Sequence, residues 1–292
     1  MSKNKYEIDM CNGTIMDKLI SFSVPLMLSG ILQLMFNAVD IIVVGRFAGS
    51  QSLAAVGSTT ALINMFVNLF IGVSLGANVL AARFYASGKH KEMSETVHTA
   101  ITFAAISGVV MALIGVLMAK PALELMGTPD DVINLSTLYM RIYFLGMPFF
   151  MLYNYGAAVL RAVGDTKRPL MFLIAAGIIN ACLNMVLVIV FNLGVAGVAI
   201  ATIFSQFISC VLVLRCLNKT DASYQLRFSK LKIKGYYLKQ IRLEFRQEYR
   251  VQLLISQMLC CSRRLIHSVQ QQWQDIQQPT IFLAFYMHQL IQ

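Results

Sequence analysis

Asp40 stands inside a long apolar run, KLISFSVPLMLSGILQLMFNAVDIIVVGRFAG. A carboxylate at membrane depth costs about 2.5–3.5 kcal/mol on insertion scales. A sequence that keeps one gives it a partner, a water-filled cavity or an ion. Gln33 and Asn37 precede it in the same run. Far along the chain, Asn180 and Asn184 stand four apart in PLMFLIAAGIINACLNMVLVIVF, a spacing that puts both amides on one helix face. Thr202, Ser205 and Gln206 add oxygens in GVAGVAIATIFSQFISC. A carboxylate with neutral amide and hydroxyl oxygens can hold Na+, or can take up a proton at Asp40 while the amides adjust its proton affinity. Each amide alone is equally at home as interhelical glue, at about 0.6 kcal/mol per bond; the carboxylate is the group that asks for a function.

The elements that must position these residues follow from composition. The chain is 57% hydrophobic and 13% charged, with mean hydropathy +0.65, against about 45–50% and about 25% in soluble domains. Apolar stretches of about 20 residues, enough to cross a ~30 Å hydrocarbon core, recur about six times, near 15–44, 52–80, 96–118, 132–158, 170–191 and 195–217. The expected fold is an all-α, polytopic membrane bundle of about six transmembrane helices. Arg83, Lys89 and Lys91 follow the second span, Arg161, Lys167 and Arg168 the fourth, and a run from Arg215 to Lys239 the sixth, whereas Asp130 and Asp131 follow the third. The positive-inside bias makes the basic side cytoplasmic and puts residues 1–13 inside as a polar N-terminal segment. No secretory signal pattern precedes the first span, which is expected to be retained. Pro25 removes a backbone hydrogen bond within that span and is expected to kink it, as a hinge.

Other functional classes find little support. The net charge of +10 is accounted for by basic loops and not by nucleic acid. The six Cys form neither metal-ligand spacing nor a disulfide framework; Cys182 and Cys210 read as small buried thiols. His90 and His98 flank a basic loop and read as solvated. Arg141 reads as a snorkelling side chain. The 17 Met suit flexible packing better than a dedicated pocket. No Walker-type loop, nucleophile constellation or zinc site is visible: no enzyme, no ATP-driven pump and no cofactor are expected, beyond H+ or Na+ as a coupling ion.

Over roughly residues 10–240 the pattern resembles the N-terminal lobe of the MATE family, the multidrug and toxic compound extrusion transporters. The carriers, in order, are ISFSVPLMLSGILQLMFNAVDIIVVGRFAG, LAAVG, GANVLAARFYASGKHKE, AVLRAVGDTKRP and NACLNMVLVIVF. The resemblance implies a cation-coupled antiporter of the cytoplasmic membrane that exports drugs, dyes and other cationic amphipathic molecules. It implies a coupling-ion site at Asp40, Asn180, Asn184 and Thr202, with Gln33, Asn37 and Gln206 as cavity lining. Some members carry a second acidic residue where this chain has Asn184, so both H+ and Na+ remain open. Two alternatives stand beside it. A lipid or lipid-linked saccharide flippase of a related two-lobe family would want a basic cavity; a non-transporting fragment would pair with another half-transporter.

The resemblance also implies about twelve helices in two lobes. The expected organisation here is residues 14–217 as a six-helix lobe, 218–241 as a basic cytoplasmic linker, and 242–292 as a poorly structured tail. The tail holds the single Trp, Trp273, and no Gly follows Gly235. Read one base earlier from near Arg242, permitted codon choices give IGVPAGIQGTVINISN. Further on they give SSVNSFGTAAMAGYTATNNIFGFL, and together these stretches repeat the Val-Pro of the first span with Gly, Asn and Phe at the offsets of Gly30, Asn37 and Phe47 from Pro25. The tail therefore reads as out of frame, and the expected partners are membrane lipid and a missing second lobe or another half-transporter.

Overall fold

The computed structural model describes residues 14–220 and 222–227; the expectations for 1–13 and for the tail lie outside the described residues. The described chain is helical: α1 (Ile15–Phe47), α2 (Gly49–Ala86), α3 (His90–Leu125), α4 (Asp130–Leu145), α5 (Met147–Ala162), α6 (Lys167–Met185) and α7 (Gly194–Lys219), with α6 running on as a wide π-helical turn over Val186–Val190. Helices follow because in hydrocarbon every backbone N–H and C=O must be satisfied within its own segment. Four helices, α1, α3, α6 with its continuation, and α7, are long and apolar enough to cross a membrane, and a fifth if α4 and α5 count as one span, among the described residues. At 38 residues and about 1.5 Å per residue, α2 also has the length to cross.

The ends are set by local chemistry. At the close of α3, Gly127 takes φ +70°; its N–H reaches the Glu124 carbonyl at 3.0 Å and the Thr128 N–H reaches that of Leu123 at 3.1 Å. This paired closure uses a residue without Cβ in the left-handed region. Pro129 then blocks continuation, and Asp130 and Asp131 occupy the first turn of α4, where the helix dipole favours negative charge.

The fourth span is not one helix, contrary to the sequence expectation for 132–158. It breaks at Gly146, and α4 and α5 meet at 46°. Pro148 lies in the first turn of α5, where it has no N–H for the carbonyl four residues back and its ring would clash with that carbonyl in a continuous helix. The first span behaves differently. α1 runs as one helix through Pro25, and the Ser29 hydroxyl donates to the Pro25 carbonyl at 2.8 Å.

Helices associate in lipid through close packing at small residues. α3 approaches the elbow at Gly108 and Gly115, where an added Cβ would meet Pro148 Cα at 2.6 Å and the Phe144 ring at 2.1 Å. α5 meets α7 at Gly156, where an added Cβ would fall 2.1 Å from Val213 Cγ1. α1 is keyed to α6 at Gly177, whose Cβ would fall 1.8 Å from the tip of the Phe36 ring. Three apolar cores result. The largest joins α2, α3, α5, α7 and residues 222–227 at the basic end; a second gathers α1, α2, α4 and α7 with Val188 around Val44; the third fills the elbow around Phe144.

The segment expected to be a basic cytoplasmic linker over 218–241 packs on the bundle at its start, where Tyr224 and Leu226 are fully buried. Cys210 is buried as expected, but Cys182 is exposed, because it lies away from the face of α6 that carries Asn180 and Asn184.

The Gly177 contact yields a stability prediction. Gly177→Ala is expected to lower stability by about 1–3 kcal/mol through overpacking against Phe36. Gly30→Ala, on the same α1 but with nothing within 4 Å of its added Cβ, is expected to be neutral or stabilising by up to about 1 kcal/mol. Thermal unfolding of the two variants in one detergent checks both.

Candidate functional site

Three helices bring Asp40, Asn180, Asn184 and Thr202 together. Asp40 lies on α1 and is half-buried. Asn184, on α6, is fully buried, and Asn180, one turn earlier, is 5% exposed. The Asn184 amide nitrogen donates to Asp40 Oδ1 and, at 3.2 Å, to Asn180 Oδ1. The Asn180 amide nitrogen in turn donates to Thr202 Oγ1 on α7 at 3.5 Å, and that hydroxyl donates to the Val198 carbonyl at 2.9 Å. The result is one polar chain crossing α1, α6 and α7 inside an apolar bundle. Its local origin is the four-residue spacing of the two amides, which aligns them on the inner face of α6.

One atom of this chain is left over. Asn184 Oδ1 is buried and without a hydrogen-bond partner among the described residues. A buried acceptor left unpaired costs about 1–3 kcal/mol, and an acceptor beside a carboxylate is what a bound cation or a protonated carboxyl can use. The donor set, one carboxylate with amide and hydroxyl oxygens, suits a hard monovalent cation or a proton. Na+ therefore fits the residues present, with Asp40, Asn180, Asn184 and Thr202 as its oxygens.

Two residues that the sequence reading passed over belong to the surroundings. Tyr139 and Tyr143 of α4 pack in and against the apolar core that holds Val43 and Val44, one turn beyond Asp40 on α1, and their rings are 6.2 Å apart. The available signal was their four-residue spacing, the same that marks the two Asn on α6. Beside Thr202, Tyr143 and Gln206 line a small cleft at the α4–α5 elbow, completed by Gly146, Met147, Phe150 and Ile203, with about 10 Å³ of room for the centre of a water molecule. Volumes of about 10–15 Å³ by this measure hold one water.

The remaining candidates separate. Gln33 and Asn37 are exposed on α1, and no hydrogen bond joins them to the cluster among the described residues. Ser205 is buried and returns its hydroxyl to the Thr202 carbonyl at 2.8 Å. Arg141 is exposed. His98, expected to be solvated, is 4% exposed, because a segment more than a hundred residues later covers it. No cluster of three or more metal-ligating His, Cys, Asp or Glu occurs among the described residues.

The chain has similar proteins among known families and solved structures. The MatE family profile matches residues 25–186, more than half of the chain. Over 213 residues the chain is 36% identical to the "Probable multidrug resistance protein YoeA" of Bacillus subtilis, covering 72% of this chain and 46% of that protein. It is 28% identical over 200 residues to a "FAD transporter" of Shewanella oneidensis, covering 66% and 44%. Among solved structures it is similar to an outward-facing multidrug resistance MATE family transporter, with TM-score 0.78 at 22% identity, over 87% of this chain and 56% of that one. It is likewise similar to a MOP superfamily transporter from Pyrococcus furiosus, with TM-score 0.77 at 23% identity, over 87% and 56%. The chain spans about half the length of the curated relatives it matches.

The polar chain predicts a packing effect separable from transport. Asn184→Leu removes the shared donor of Asp40 and Asn180 and is expected to destabilise by about 1–3 kcal/mol. Gln33→Leu on the exposed side of α1 is expected to stay within about 0.5 kcal/mol. Chemical denaturation of both variants in mixed micelles measures the difference.

Proposed function

The chain belongs to the MatE family, and from that premise we propose that it supplies the cation-coupling lobe of a secondary antiporter that exports small cationic amphipathic molecules in exchange for H+ or Na+. The observation that carries this is the Asp40–Asn184–Asn180–Thr202 chain. Support for the substrate class comes from the multidrug resistance and multidrug export names of relatives and from the acidic sign of the cluster. A carboxylate favours a cationic cargo over the phosphate head group that a flippase would meet. The basic loops support a cytoplasmic-membrane protein with its N-terminus inside.

The mechanism follows from hydrogen-bond inventory. In the described state Asp40 accepts and Asn184 donates. A carboxyl that has taken up a proton carries an O–H of its own and is best met by an acceptor, the role open to Asn184 Oδ1. For that oxygen to turn toward Asp40, the amide must rotate and give up the nitrogen contact to Asn180. Occupancy on α1 is thereby felt on α6 and, through Asn180, at Thr202 on α7. Na+ would bring a positive charge to the same oxygens. Alternating access in such transporters rocks one repeat against another; an opposing wall is therefore needed, from a second lobe or another half-transporter.

Ion binding to the purified full chain in lipid nanodiscs tests the site. Asp40→Asn is expected to weaken Na+ affinity or proton uptake at least about tenfold, because the carboxylate is the cluster's source of charge, while Gln33→Leu leaves both unchanged. Undiminished binding in Asp40→Asn overturns the site.

A further inference from the structure

Beyond α7 the chain turns back into the basic end of the bundle. Tyr224 and Leu226 are fully buried in the core that holds Val97 and Ile101 of α3, Tyr155 of α5, and Val213 and Leu217 of α7. The Leu226 N–H donates to the Leu217 carbonyl at 3.1 Å, and the Gln225 side-chain amide donates to the Asn218 carbonyl at 3.2 Å. Then the Arg227 N–H donates to Nε2 of His98 at 3.1 Å, across 129 residues of sequence.

The imidazole is thereby fixed in one protonation state. Its Nδ1 lies 2.6 Å from the Ser94 carbonyl. A carbonyl carries no proton, so Nδ1 must donate. Nε2 receives an N–H, so it must keep its lone pair. Only the neutral ring protonated on Nδ1 does both. A ring with two protons would turn an N–H against the Arg227 N–H.

We propose that residues 222–227 form a strap latched to the bundle by the neutral imidazole of His98, and that a second proton on that ring releases it. The latch is therefore closed while the ring is neutral and opens when acidification puts a proton on Nε2. The charged and titratable groups at this end set the balance. Glu92 and Glu95 on α3 are half-buried and favour the charged ring. Arg161 on α5 and Arg168 on α6 are half-buried and oppose it, Arg168 being partly answered by buried Asp165 at 3.1 Å. Arg83 on α2, Lys89 before α3, and Arg215 and Lys219 on α7 are exposed. Tyr153 and Tyr155 on α5 and Tyr224 on the strap share the core. The Arg227 guanidinium turns to the Gln225 side chain at 3.0 Å. When the latch is open, the chain departs from the end of α7 instead of from Arg227, several residues away.

Backbone amide exchange of the full chain in detergent, compared at about pH 8 and about pH 5 after correction for intrinsic rates, tests this. The Leu226 and Arg227 amides are expected to lose protection about tenfold or more at the acid pH, the order of one lost bond to a buried group, while the middles of α3 and α5 keep theirs. His98→Gln offers an oxygen acceptor that does not titrate, and His98→Phe offers none. Both are expected to abolish the pH dependence, and Gln is expected to hold the higher protection. Equal protection at the two pH values in the native chain overturns the latch. So does an acid loss of the same size in His98→Gln, which decides the matter should His98→Phe fail to fold.

Discussion

The Asn184 amide nitrogen has two hydrogens, and both are committed, one to Asp40 and one to Asn180. That constraint organises the middle of the bundle. α1 is otherwise weakly held: only 11% of its most apolar window is buried, and lipid is as apolar as a neighbouring helix, so burial gives it little reason to choose one rotation over another. The carboxylate supplies the reason. Asp40 must face Asn184, and with it Val43 and Val44 come into the core beside Val188, Val195 and Val198. The Phe36 ring seated over Gly177 sets the distance while the polar link sets the rotation.

The broken fourth span does what a straight helix could not. α4 packs on α2, α3 and α7, and α5 on α3, α7 and α2, so each half meets the same neighbours from a different direction. The elbow leaves a cleft of one-water size at Gly146. Tyr143 stands at that cleft and also packs against the apolar core around Val44, one turn beyond Asp40. Thr202 joins the cleft to the amide chain. The polar chain thus ends at the elbow of the broken span.

Most of the helical layout was legible, because length and apolarity decide whether a segment can satisfy its backbone in hydrocarbon. The pairing of Asn180 with Asn184 was legible from spacing, and Asp40 from the penalty of placing it there. What escaped has a common cause: hydropathy counts length and is blind to direction. It merged α4 and α5 although Pro148 marked the joint. It assigned Cys182 to the interior because its span is apolar, yet the interior face of α6 is the one bearing the two Asn. Tyr139 and Tyr143 were passed over because their meaning depends on α1 packing beside them. His98 was misjudged because its partner, Arg227, comes 129 residues later, a contact that no window along the chain contains.

The wide turn that ends α6 has a genealogical meaning. Over Val186–Val190 the backbone bonds skip one residue further than in an α-helix, as in the Phe191 N–H to Val186 carbonyl at 3.2 Å. The turn holds one surplus residue. Deleting a residue there would let α6 finish as a regular helix without disturbing Asn184, which precedes the turn. Every residue from Phe191 onward would instead be pulled back along the axis and swung around it, Thr202 included. Tolerance to gained or lost residues is thus asymmetric about Asn184. Length is free to drift in loops, but between Asn184 and Thr202 it is a property of the polar chain itself.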